Sequence, residues 1–165
     1  MGFLDLFHTQ PVAPTVPSVL PAEAKQQILR GKLPTLQPNS LFLKNGEICH
    51  YVDRAIYEKR TVSKKRINKT SSYSMPGLFK GTRVHIGGGK SEYVDNVKYS
   101  AIKGILYITT KRIIFVGGTD GFDRKVENLV AVTPYANCME FQFSKETLKL
   151  FVPDGNLLYT VLRLI

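Results

Sequence analysis

The stretch from Gly104 to Gly118 reads GILYITTKRIIFVGG and sets two apolar runs on either side of a short polar segment. Seven of the eight residues in the runs 105–108 and 113–116 are β-branched or aromatic, a composition typical of β-strands. The intervening residues 109–112 suit a chain reversal, and glycines stand at both ends of the stretch. The pattern predicts a β-hairpin, so antiparallel strand pairing must be part of the fold.

A second strand signal lies upstream, in residues 48–62, which alternate well enough to predict one long or bent strand. With a bend near Ala55, its apolar face would comprise Ile48, His50, Val52, Ile56 and Val62. Residues 63–76 are polar, basic and poorly periodic, and they predict an exposed loop.

The remaining strand signals are shorter. A triple glycine at residues 87–89 predicts a break after a candidate strand, and residues 93–103 fit either a strand or irregular structure. Further strands are predicted at residues 77–86, 129–133, 139–143 and 148–152. Residues 156–165 then carry apolar side chains at helical spacing and predict a C-terminal helix.

The N-terminal region has a different composition. An apolar cluster, FLDLF at residues 3–7, precedes a proline-rich spacer that cannot hold a continuous helix. Residues 22–30 form a short helix candidate that Gly31 and Pro34 would end. These features predict an N-terminal arm over residues 1–38 and one packed domain over residues 39–165.

Charge is the most unusual bulk property of the chain. Its 23 Lys and Arg residues against 13 Asp and Glu give a net charge of +10, which favours an anionic partner such as a lipid surface, a nucleic acid or an acidic protein. Cys49 and Cys138 lie far apart without metal-ligand spacing, which predicts neither a disulfide framework nor a zinc site and fits a reducing cytoplasm. No run of about 20 apolar residues or export signal is visible.

The hairpin resembles the signature hairpin of GRAM and bacterial pleckstrin-homology-like domains, in which G-x-L-Y-I-T precedes a basic turn and an apolar strand ending in Phe. The resemblance covers roughly residues 41–165 and includes Phe42, Glu47 and the LVAVTPY segment that begins at Leu129. It implies a mainly β (α+β) fold: a bent antiparallel sheet or partial barrel of six or seven strands, capped by the C-terminal helix. It also implies a cytoplasmic bacterial or bacteriophage binding module without a cofactor, not an enzyme.

Basic residues after the first long strand are the best candidates for a binding site. Six cations within eleven residues, with no acid among them, create a positive field suited to a lipid head group or an acidic protein. Two further cations flank the region and would join it if residues 77–86 pair with the first strand. The predicted anion-binding or lipid-binding residues are Lys59, Arg60, Lys64, Lys65, Arg66, Lys69, Lys80 and Arg83.

Other chemistries receive little support from the sequence. The segment GGGKS at residues 87–91 lacks the first glycine of a phosphate-binding loop, because Val84 stands in its place. No catalytic or metal-ligand motif is apparent, so the sequence predicts no catalytic residues, cofactor or metal. Two alternatives stay open: oligomerisation through the N-terminal arm, and nonspecific nucleic-acid binding through basic segments interleaved with tyrosines.

Overall fold

The computed structural model of the protein describes residues 14–76 and 83–165, and it describes side chains for residues 14–66 and 91–165. The fold is mainly β, as predicted, and contains a seven-stranded antiparallel sheet. One helix precedes the strands in the chain, and a second helix follows them. The helices are α1 (Ala22–Leu29) and α2 (Gly155–Leu164). The strands are β1 (Cys49–Pro76), β2 (Arg83–Thr109), β3 (Arg112–Gly117), β4 (Gly121–Lys125), β5 (Leu129–Pro134), β6 (Cys138–Phe143) and β7 (Thr147–Phe151).

The strand order in the sheet is β4-β3-β2-β1-β7-β6-β5. The hairpin predicted at residues 104–118 is confirmed, because β2 pairs with β3 in a register that joins Ile105 to Val116 and Ile108 to Ile113. Gly104 faces Gly117 at the end of this ladder. A Cβ atom on Gly104 would lie 2.2 Å from the Val116 carbonyl oxygen, so only glycine fits there.

The chain divides into two compact units. The first, called the sheet unit here, comprises the described residues up to Lys59 together with Ser100–Ile165. The second, called the ribbon unit, is Arg60–Tyr99 and contains the distal part of β1 and the proximal part of β2. The boundary predicted between residues 38 and 39 stays a prediction.

The main hydrophobic core lies in the sheet unit. It joins residues of the strands to both helices, and its fully buried members include Ile28, Leu106, Phe115, Phe141 and Leu158. A smaller cluster lies around Cys49, Tyr107 and Ile114, with Leu36 and Leu41 packed against it. Along the hairpin, Ile105 and Tyr107 belong with this second cluster, whereas Leu106 and Ile108 belong with the main core. This alternation is expected where both faces of a strand are covered.

Both predicted helices are present. Helix α1 buries Ala24 and Ile28. Helix α2 buries Leu158 and Val161, which the helical spacing predicted, whereas Ile165 is exposed. Each helix therefore packs on the sheet unit by a narrow apolar stripe.

The apolar face predicted for β1 is only partly buried. Ile48 and Val62 are 40% and 49% exposed, whereas Val52 packs against the second cluster. The face with the opposite parity, which carries Tyr51 and Ala55, is the one that lies in the main core. His50 is buried as predicted, with its Nδ1 2.7 Å from the Pro34 carbonyl oxygen.

Two predicted interruptions are also wrong. Residues 63–76 are strand rather than loop, because β1 continues to Pro76, and Gly87–Gly89 lie inside β2 rather than ending a strand. The side chains are exposed in residues 60–66 and in most of residues 91–99. Because neither strand buries a face there, the sequence need not alternate between apolar and polar residues. A third difference is β4, which the sequence did not predict because Phe122 is its only buried residue.

Candidate anion-binding surface

The positive charge of the chain is concentrated in the ribbon unit. Residues 60–99 contain nine Lys and Arg and two acidic residues, so this unit carries +7 of the total of +10. The other 125 residues carry +3 between them. A charge density of this kind repels itself and attracts anions, since the acids within the same unit cannot neutralise it.

Four of the predicted site residues lie together on β1 with exposed side chains: Arg60, Lys64, Lys65 and Arg66. Strand alternation directs Arg60, Lys64 and Arg66 to one side of the strand and Lys65 to the other. The ribbon unit therefore presents cations on both of its sides.

The remaining predicted residues of the ribbon unit lie outside the described side chains. Lys69 and Arg83 belong to β1 and β2, but their side chains are not among those described. Lys80 lies outside the described residues altogether. Their part in a binding surface stays a prediction.

Lys59 lies in the sheet unit, where its ammonium group forms an ion pair with Asp120. The hydrogen bond to Asp120 raises the pKa of Lys59, and the same bond lowers the pKa of Asp120. Both groups stay charged at neutral pH, so the charge of Lys59 is already matched by a neighbour.

Side chains of one strand form hydrogen bonds with groups of the other strand inside the ribbon unit. The Arg66 Nη2 atom donates to Ser91 Oγ at 3.0 Å, and Ser63 Oγ donates to the Asn96 carbonyl oxygen at 3.4 Å. Apolar and aromatic side chains are exposed beside the cations, namely Val62, Tyr93, Val94, Val97 and Tyr99. Tyr93 is 67% exposed. The valines offer apolar surface to an interface, and the tyrosines combine a ring that can stack on a ligand with a polar hydroxyl.

A second group of cations lies in the sheet unit, around a groove of about 520 Å³ near the turn between β2 and β3. Lys111 donates from Nζ to the Asn45 carbonyl oxygen at 2.9 Å, and Lys125 pairs with Glu127 at 3.5 Å. Arg112 is held by the carboxylates of Glu47 and Asp123. Three of the four cations among the described lining residues therefore already have partners, so this groove is a weaker candidate than the ribbon unit.

Arg112 forms a buried ionic network that sequence reasoning missed. Its Nε and Nη2 atoms donate to the two Glu47 carboxylate oxygens at 2.8 and 2.9 Å, and Nη1 donates to Asp123 at 2.7 Å. The hydrogen bonds from Arg112 lower the pKa of Glu47 from 4.5 to about 2, although burial opposes the shift. Thr109 donates its hydroxyl to Glu47 as well. Because 65 residues separate Glu47 from Arg112, no short sequence motif indicated that they pair.

The two cysteines are buried free thiols. Burial raises the pKa of Cys49 to about 11 and also raises the pKa of Cys138, which disfavours the reactive thiolate in both. In the part of the chain that the structure describes, no group of three His, Cys, Asp or Glu residues is arranged to hold a metal ion. None of the described helices has the length and apolar composition needed to cross a membrane.

Comparison of the chain with protein-family models, curated proteins and solved structures finds no match.

Proposed function

We propose that this protein is a non-catalytic, pleckstrin-homology-like or GRAM-like binding module that attaches peripherally to an anionic membrane surface through its ribbon unit. The observation that carries the proposal is the +7 charge of residues 60–99. A sheet of seven antiparallel strands followed by a helix agrees with the architecture that the hairpin resemblance implies. The expected location is the cytoplasmic face of a bacterial membrane.

Electrostatics supports an anionic surface as the partner. A cation close to an anionic bilayer contributes about 1 kcal/mol, and salt screens the attraction within a Debye length of about 8 Å at physiological ionic strength. Arg60, Lys64 and Arg66 expose their side chains on one side of β1. Their summed attraction suits reversible attachment without a deep pocket.

The exposed apolar residues favour a membrane over other anions. Tyr93 and Tyr99 suit the boundary between head groups and acyl chains, where a ring can stay apolar while its hydroxyl is hydrated. Val62, Val94 and Val97 are exposed as well, and an interface would bury them. A free phosphate group would leave these valines in water.

Nucleic acid is the second candidate, because a two-stranded ribbon fits the major groove and exposed tyrosines can stack on unpaired bases. Tyr93 and Tyr99 are the observation that favours it. Such binding would lose affinity steeply as salt rises. Replacing the cations of β1 tests both candidates, since membrane binding and nucleic-acid binding each rely on them.

Oligomerisation through the N-terminal arm stays an alternative. Within the sheet unit, the described part of the arm packs against its own chain, where Val16 and Ile28 are buried. Asp53 accepts hydrogen bonds from the Ser18 hydroxyl and the Val19 amide, both at 2.6 Å. An exchange of arms between copies would therefore have to break these contacts or use residues 1–13.

The test compares two variants of equal charge. One replaces the ribbon cations (R60Q, K64Q, K65Q, R66Q), and its matched control replaces four exposed cations of the sheet unit (K25Q, R30Q, K32Q, K145Q). We expect the ribbon variant to bind phosphatidylserine-containing vesicles at least about tenfold more weakly than wild type, and the control to change far less. Equal losses in both variants would show that net charge, not the ribbon unit, governs binding. Loss of oligonucleotide retention without any vesicle binding by wild type would favour nucleic acid.

A further inference from the structure

A cavity of about 440 Å³ lies in the sheet unit, between residues 15–17 and the neighbouring parts of β1 and β2. Its volume falls within the range of roughly 300–1,000 Å³ that is usual for clefts that bind small ligands. All the described lining residues belong to the sheet unit. The cavity is therefore separate from the cations of the ribbon unit.

Two cations of the cavity lining have no counter-charge. The side chains of Arg54 and Lys103 are exposed, and neither forms a hydrogen bond or an ion pair within the part of the chain that the structure describes. No acid is found among the described lining residues. Two acids flank this part of β1, but Asp53 accepts hydrogen bonds from the N-terminal segment, and Glu58 lies 4.0 Å from Lys149. The cavity therefore offers two positive charges to an anion.

The lining also offers apolar surface beside these charges. Strand alternation places Ile56 on the same side of β1 as Arg54, and Ile105 on the same side of β2 as Lys103. Val116 lies opposite Ile105 in the register of β2 and β3 and is 51% exposed, so the apolar surface continues beyond the cavity. An occupant that matches this lining combines an apolar chain with a negative charge.

The wall formed by residues 15–17 is held in place before any ligand binds. Val16 is buried, and directly after this wall the Ser18 hydroxyl and the Val19 amide donate to the Asp53 carboxylate, both at 2.6 Å. Asp53 itself is buried on β1. Because the wall is already ordered, a ligand loses little binding free energy to fixing it.

We propose that this cavity binds an amphiphile with a single alkyl chain and an anionic head group, either a phosphate monoester or a carboxylate. The alkyl chain lies against Ile56 and Ile105 and extends towards Val116, and the head group lies between Arg54 and Lys103. A guanidinium group can donate two parallel hydrogen bonds to either head group, and the lysine adds a charge on a flexible stem. The proposal does not depend on what the ribbon unit binds, because the two surfaces share no residue.

Calorimetric titration with amphiphiles of equal chain length tests the chemistry of the occupant. Decyl phosphate and decanoate carry anionic head groups, decyl maltoside carries a neutral one, and each is used below its critical micelle concentration. We expect one or both anions to bind one to one, at least about tenfold more tightly than the maltoside. The six-carbon homologue of a bound anion should bind at least about tenfold more weakly, since it buries fewer methylenes.

The outcomes of this titration are distinct. Binding of decyl phosphate alone would identify phosphate monoesters as the ligand class, and binding of decanoate alone would identify fatty acids. Binding of neither anion would overturn the proposal, as would equal affinity for the maltoside or for the six-carbon homologue.

Variants of equal charge test the position of the site. R54Q with K103Q should weaken binding of the anion about tenfold, because two exposed charge contacts are lost. K25Q with K145Q removes the same charge from exposed positions outside the cavity and should change the affinity by less than about twofold. The ribbon variant (R60Q, K64Q, K65Q, R66Q) should also keep its affinity. Equal losses in the first two variants, or a loss in the ribbon variant alone, would overturn the proposal.

Methyl NMR locates the bound alkyl chain in the wild-type protein, without any substitution. Saturation with the bound anion should shift the methyl signals of Ile56 and Ile105 and leave that of Ile28, which is fully buried in the main core, almost unchanged. Shifts confined to isoleucines outside the cavity would overturn the proposal.

Discussion

At the scale of single residues, Arg112 and Glu47 form an ion pair that is almost fully removed from solvent. The side chains of Arg112 and Glu47 are 9% and 0% exposed. Arg112 also donates from Nη2 to the Phe42 carbonyl oxygen at 3.0 Å, so its contacts join β3 to the chain that precedes β1. Removing one partner leaves the other charge buried without a counter-charge. This lowers the free energy of unfolding by more than the intact ion pair contributes to it.

We therefore predict that Arg112→Ala lowers the free energy of unfolding by about 3 kcal/mol or more, measured by urea denaturation. Lys111→Ala is the matched control on the neighbouring exposed residue and should change it by about 0.5 kcal/mol or less. The double variant E47L with R112M should lose less than Arg112→Ala alone, since no buried charge is left unpaired and the Asp123 side chain is 52% exposed. A double variant as unstable as the single one would contradict this explanation.

The lowered pKa of Glu47 predicts a specific pH dependence. Its value of about 2 in the folded protein lies below the ordinary 4.5, so the unfolded state binds more protons between these values. The stability that ionised Glu47 contributes is complete above about pH 4.5 and is lost as the pH falls towards 2. The difference in unfolding free energy between wild type and Glu47→Gln should shrink in this range. A difference as large at about pH 3 as at neutral pH would contradict the assignment.

At the scale of elements, the start of α2 rests on one capping residue. The Asp154 Oδ1 atom accepts hydrogen bonds from the backbone amides of Asn156 at 3.0 Å and Leu157 at 3.1 Å. The helix buries Leu157, Leu158 and Val161 against the sheet unit, so its position affects the whole core. A cap of this kind satisfies amides that otherwise have no partner in the helix.

We predict that Asp154→Ala lowers the free energy of unfolding by about 1 kcal/mol, measured by thermal or urea denaturation. Asp154→Ser should retain most of the stability, because its hydroxyl can accept the same bonds. A serine variant as unstable as the alanine variant would show that Asp154 stabilises the protein by some other contact.

The elements also show where the sequence was informative. The hairpin strands, β6, β7 and α2 have buried apolar residues at clear strand or helix spacing, and they were predicted close to their observed positions. Beyond Lys59 the side chains of β1 are exposed up to Arg66, so no apolar period marked that part as a strand. The inner face of β1 was misassigned because Tyr51 and Ala55 are flanked by apolar residues of the opposite parity.

At the scale of the whole molecule, the two compact units differ in composition. The sheet unit holds both hydrophobic clusters and a nearly balanced set of charges, whereas the ribbon unit holds most of the excess positive charge. The basic cluster of residues 59–69 could be predicted because the charge of a segment follows from its sequence alone. It did not predict that Lys59 pairs with Asp120 in the sheet unit, since 61 residues separate the two.

The ribbon unit is proposed to attach the protein to an anionic membrane. The most direct measurement is co-sedimentation of the wild-type protein with vesicles of phosphatidylcholine alone and with vesicles containing one part phosphatidylserine to three parts phosphatidylcholine. We predict binding to the anionic vesicles in low salt, little binding to the neutral ones, and progressive release as salt rises. Equal sedimentation with both kinds of vesicle, or with neither, would contradict the claim.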